Sequence, residues 1–161
     1  MGIDNGSQVI KDKKIMYGMV IGLTVLIPFI MIAEIFDEPV FGISRGYYAI
    51  VVAIIYILAT GYRLMLDLNY FSLIDQDGKI LIKYYSLRPL MQKYKTIEIP
   101  NGSLVKFEIR KKMAGKKKQL ILFQKVKNNI AKYPPISISA LGKGEINTLI
   151  QILNLRTIQK N

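Results

Sequence analysis

Hydrophobic and polar positions follow three different rhythms along this chain. From Ile15 to Ala33, 19 consecutive residues carry no charge, and Ile35 and Phe36 continue the run beyond Glu34. A second uncharged run covers Gly46 to Tyr62, and Leu64, Met65 and Leu66 lengthen it if Arg63 snorkels to an interface. About 20 helical residues cross a hydrocarbon core of ~30 Å. Neither run has a polar face. The pattern predicts a transmembrane hairpin over 15–66, with helices at about 15–36 and 46–66. An outer loop over 37–45 joins them, and a cytoplasmic tail over 1–14 precedes them. Lys11, Lys13 and Lys14 resemble the start of a signal peptide. The apolar run is longer than such a segment needs, however, and no small-residue cleavage site follows it.

From Leu68 the rhythm shortens to period two. Residues 69–74 run into the turn signal Asp75-Gln76-Asp77-Gly78, and 79–87 return as a hairpin partner. Arg88-Pro89 interrupts; 92–99 follow, and Pro100-Asn101-Gly102 turns the chain again. Over 104–112, Val105, Phe107 and Ile109 face one way and Lys106, Glu108 and Arg110 the other. Ala114-Gly115 leads into 117–127, Asn128-Asn129 opens a loop that ends at Pro134-Pro135, and 136–140 alternate once more. The last element is helical, about 143–155, with Ile146, Leu149, Ile150 and Leu153 on one stripe. The expectation is an α+β membrane protein: the hairpin, then a small antiparallel β-barrel or sandwich of about six strands over 67–161, capped by an amphipathic helix.

The order of β-hairpins, the segment YKTIEIPNGSLVKFEIRKK, the strand PPISISAL and the closing helix GKGEINTLIQILN resembles the bacterial pleckstrin-homology-like (PH-like) domain. The resemblance covers roughly 68–155. Small bacterial membrane proteins carry such a domain after a two-helix hairpin, which extends the likeness to the whole chain. It implies a barrel or sandwich closed by a helix and no catalytic residues. A fold of this kind does not specify a function.

Charge sharpens the division. The chain carries +12 over 161 residues, and 67–161 hold 18 Lys/Arg against 6 Asp/Glu. Lys11, Lys13 and Lys14 precede the first run and Arg63, Lys79 and Lys83 follow the second, whereas the connection contains only Arg45 beside Glu34, Asp37 and Glu38. The positive-inside rule then places both termini in the cytoplasm of a multi-pass inner-membrane protein. Tyr17, Tyr47, Tyr48 and Tyr62 lie near the run ends, where an aromatic belt belongs. No ionisable group lies inside either run, so nothing there suggests a transporter or a proton relay. Thr24, Thr60 and Pro28 are the irregular positions, and Pro28 predicts a kink. Gly18 and Gly22 form a G-x-x-x-G, expected to receive the second helix near Ala59 in preference to a second copy. Ala49 and Ala53 form another small-residue pair at a different depth, which hints at another membrane protein.

The chain has no Cys and no His, which removes disulfides, thiolate chemistry and the commonest metal ligand and general base. Asp75-Gln76-Asp77-Gly78 opens like a calcium loop, but Ser86 stands where the closing Glu is needed. Gly115-Lys116 and Gly142-Lys143 lack both the upstream Gly and the following Ser/Thr of a phosphate loop. Asp67, Asp75, Asp77, Glu98, Glu108 and Glu145 show no pairing for acid–base work. No catalytic residue, cofactor, metal or small-molecule substrate is therefore expected.

One cluster invites a partner: Arg110, Lys111, Lys112, Lys116, Lys117 and Lys118 at a hairpin tip. Solvation alone explains such a tip, and so does contact with anionic lipid headgroups or an acidic protein surface. Nucleic acid is disfavoured, because no aromatic residues interleave the charges. The sequence thus points to a non-enzymatic, membrane-tethered PH-like binding or scaffolding module. An accessory subunit of a larger membrane complex and an immunity-type membrane protein are the alternatives.

Overall fold

The first strand lies where the sequence predicts a tail. A computed structural model describes residues 2–33, 42, 44–76, 78–87 and 93–157. In it β1 (Gly2–Asp4) pairs antiparallel with β2 (Asn69–Gln76), Ile3 opposite Leu73. Helix α1 (Gly6–Ile32) then starts at once, nine residues before the uncharged run begins. Asp4 Oδ1 accepts the Gly6 N–H at 2.7 Å, and the Asn5 carbonyl accepts the Val9 N–H at 3.0 Å. A helix start leaves N–H groups without intrahelical partners, and Asp4 supplies one of the missing acceptors.

Two units result: Met1–Val9 together with Leu66–Asn161, and Ile10–Met65. The second contains most of α1 and α2 (Arg45–Leu66), both long and apolar enough by length and composition to cross a membrane. Most of the predicted loop 37–45, with Glu34, Asp37 and Glu38, lies outside the described residues. Within this unit the less exposed side chains of α1 fall on a stripe through Met16, Met19, Leu23, Ile27 and Ile30. Those of α2 include Ala49, Ala53, Tyr56, Ala59 and Arg63. Gly22 of α1 and the three alanines of α2 are small residues among them, whereas Gly18 is exposed. A methyl group built on Gly18 or Gly22 meets nothing within 4 Å. Gly18 lies off the stripe through Met16, Met19 and Leu23, and Gly22 lies beside it.

The first unit is built from two antiparallel sheets. β1, β2, β3 (Lys79–Ser86) and β4 (Lys95–Pro100) follow one another in the first. The second runs β5 (Leu104–Lys112), β6 (Lys117–Val126) and β7 (Asn129–Lys132), with the short β8 (Ile136–Ser137) also on β6. The described strands number eight, not six, and they do not close into a barrel. Period two places Phe71, Leu73, Ile80, Ile82, Leu120 and Leu122 in one core. A bulge between Leu104 and Lys106 brings in Leu104 alongside Phe107 and Ile109, in place of Val105. Helix α3 (Lys143–Arg156) closes this core with Ile146, Leu149, Ile152 and Leu153. Ile152 thus takes the position expected of Ile150, which is only partly buried. The Gly142 N–H donates to Glu145 Oε2 at 2.7 Å at the start of the helix. At its end, Arg156 grips Asp75 through Nη2–Oδ1 at 2.7 Å and Nε–Oδ2 at 3.3 Å.

Candidate functional site

The hairpin β5–β6 assembles the basic cluster by register. Lys111 lies opposite Lys118 and Lys112 opposite Lys117, while Arg110 faces Gln119. Like charges placed directly across a ladder destabilise it. All six basic residues predicted for the site therefore share one hairpin end. Arg110, Lys111, Lys112 and Lys116 are exposed, and Lys117 and Lys118 are half-buried.

The turn itself is strained. Met113 and Ala114 both have φ of 51°, in the left-handed region, and Gly115 follows at 84°. Only glycine enters that region without steric cost. Two backbone bonds hold the turn, Gly115 N–H to the Lys112 carbonyl and Lys116 N–H to the Met113 carbonyl, each at 3.1 Å. Met113 is 37% exposed, an apolar side chain at the apex of a cationic loop. Nothing in the sequence marks it, because a single Met breaks no periodic pattern.

Carboxylates flank the cluster on two sides. Glu108 takes Lys106 at 3.0 Å and Arg110 at 3.1 Å. Hydrogen bonds from Lys106 and then Arg110 hold its carboxyl below the usual carboxylate range. Lys117 Nζ lies 3.9 Å from Asp67 Oδ2, and Asp67 is the residue immediately after α2. This contact links the cationic turn to the point where the chain leaves its apolar helix. No sequence spacing signals it, because the partners are 50 positions apart.

A second surface feature lies on the first sheet. Tyr70 and Tyr85 face each other across β2 and β3 and stack at 4.8 Å between ring centroids. Tyr94, 74% exposed, tilts against Tyr85 at 4.6 Å. The Tyr70 hydroxyl donates to Asp4 Oδ2 at 2.9 Å, beside the start of α1. Burial, then the bond to Asp4, raises the Tyr70 phenol above its ordinary value, and burial does the same for Tyr84 and Tyr85.

Asn5 joins the ends of this unit. Wholly buried, it donates through Nδ2 to the Asn69 carbonyl at 3.1 Å and accepts the Phe71 N–H through Oδ1 at 2.9 Å. Among the described residues, no three His, Cys, Asp or Glu come together as a metal site would require. Asp77 of the calcium-like turn lies outside the described residues. No protein-family model, curated protein or solved structure matches this chain.

Proposed function

We propose that this chain is a non-enzymatic binding module tethered to the cytoplasmic face of a membrane by α1 and α2. Its working part is a PH-like β domain that makes protein or anionic-lipid contacts. One observation carries the reading: β1 and the strands β2–β8 belong to one folded unit, although two long apolar helices separate them in sequence. A chain that leaves a domain through one such helix and returns through another crosses a bilayer twice. Both of its ends then lie on the same side. The lysines of the N-terminal segment select the cytoplasmic side. Two antiparallel sheets sharing one core, closed by a C-terminal helix, support the PH-like description. The basic hairpin end supplies a contact surface, and the absence of Cys and His from the sequence supports a role without catalysis.

The test is fractionation followed by sizing. The chain is expected to stay with membranes through an alkaline carbonate wash and to leave them only in detergent. In detergent a single species of one chain's mass supports the tethered module. A stoichiometric assembly with other membrane proteins would instead favour an accessory subunit, and release by carbonate would refute the tether.

A further inference from the structure

Distances along the chain place the basic turn close to a bilayer surface, provided that α1 and α2 span the membrane as proposed above. Arg63 of α2 donates to the Asp12 carbonyl of α1 at 3.4 Å, so these two residues lie at one level of the helical unit. The uncharged run of α1 begins three residues after Asp12, and that of α2 ends one residue before Arg63. Their level is therefore the boundary between hydrocarbon and headgroups. Asp67 is four residues beyond Arg63, about 6 Å at 1.5 Å per helical residue. Lys117 Nζ is 3.9 Å from Asp67 Oδ2, and the rest of the turn is continuous with Lys117. The two steps together come to about 10 Å, comparable to the Debye length of ~8 Å at physiological salt. The turn's charge reaches headgroups at that range with partial screening, which added salt deepens.

We propose that this turn is seated in anionic phospholipid headgroups. Phosphates neutralise Lys111, Lys112 and Lys118, and Met113 enters the boundary with the acyl chains. Three observations agree on this partner. Two Lys–Lys pairs face each other across the ladder, and Asp67 supplies counter-charge to one of the four, Lys117. The apex residue between them is apolar, exposed and held in a strained left-handed conformation. A cationic loop with an apolar apex matches an anionic interface above hydrocarbon, whereas an acidic protein surface has no use for the Met. Because the helices already anchor the chain, the contact orients the β domain; recruitment is not its role.

The test uses the full chain in lipid nanodiscs, since the absence of Cys permits single-site labelling. An environment-sensitive fluorophore is placed on Met113→Cys and, in a separate preparation, on Ile57→Cys in mid-α2. Discs contain phosphatidylcholine alone or mixed with phosphatidylglycerol. At position 113 a blue shift and quenching by nitroxide-labelled lipid are expected in the anionic discs. Both should weaken with added salt. Both should also be lost when Arg110, Lys111, Lys112, Lys116, Lys117 and Lys118 are changed to Gln. Emission at position 113 that is the same in both lipids and insensitive to the nitroxide would overturn the proposal. Quenching at position 57 in that case leaves the membrane tether standing. Its absence removes the tether and the proposal together.

Discussion

Ala114 illustrates how a single backbone angle fixes a measurable quantity. An L-residue in the left-handed region costs about 1–2 kcal/mol, and glycine gives back about 0.5–1 kcal/mol in unfolded-chain entropy. With φ of 51° at this position, Ala114→Gly is expected to stabilise the chain by about 0.5–1 kcal/mol. A raised denaturation midpoint would show it, and a lowered one would contradict the left-handed turn. The tyrosines provide a pH test. Tyr70, Tyr84 and Tyr85 hold their protons more tightly in the folded chain, mainly through burial. Their contribution is therefore complete below the unfolded phenol value of about 10 and is lost as pH rises through the folded values. Thermal melts in detergent should show stability falling above about pH 10, and Tyr70→Phe should lessen the fall. A melting temperature that holds steady or rises over that range would count against this.

β1 and α3 show what the amino-acid pattern could and could not reveal. Strands β2 to β6 were legible because each is an apolar-rich run of six or more residues bounded by turn signals, although Leu120, Ile121 and Leu122 of β6 are all buried and a bulge shifts β5. β7 was not: all four of its residues are exposed, so no alternation of burial marks it. β1 has three residues and one buried side chain, Ile3, too few for any period. Its identity depends on a pairing with residues about 70 positions away. The six cationic residues of the site were legible as a cluster, while their link to Asp67 was a tertiary fact. In α3 the stripe was nearly right, and substitution separates the two versions. Leu149→Ala and Ile152→Ala should each cost about 2–5 kcal/mol, with Ile150→Ala costing clearly less. Equal losses at 150 and 152 would restore the stripe drawn from sequence. Asn5→Ala should cost about 1–3 kcal/mol, because it leaves the Phe71 N–H and the Asn69 carbonyl without the Asn5 side-chain partner. A neutral substitution would mean that β1 does not hold the fold.

The whole molecule depends on one topological relation. Residues before α1 and after α2 share one sheet, so the two apolar helices form an excursion out of the β domain and back into it. The β domain is thus joined to the apolar helices twice, at Asn5–Gly6 and again at Leu66–Asp67. The most direct measurement is labelling with a membrane-impermeant thiol reagent in intact cells. Three single-cysteine chains are compared: Ser7→Cys before the first apolar run, Ser44→Cys between the helices, and Asn101→Cys in the turn between β4 and β5. Labelling at position 44 alone, with 7 and 101 reached only after the membrane is opened, is the expected result. Labelling of 7 and 101 on opposite sides of the membrane would contradict it, because β1 could not then pair with β2.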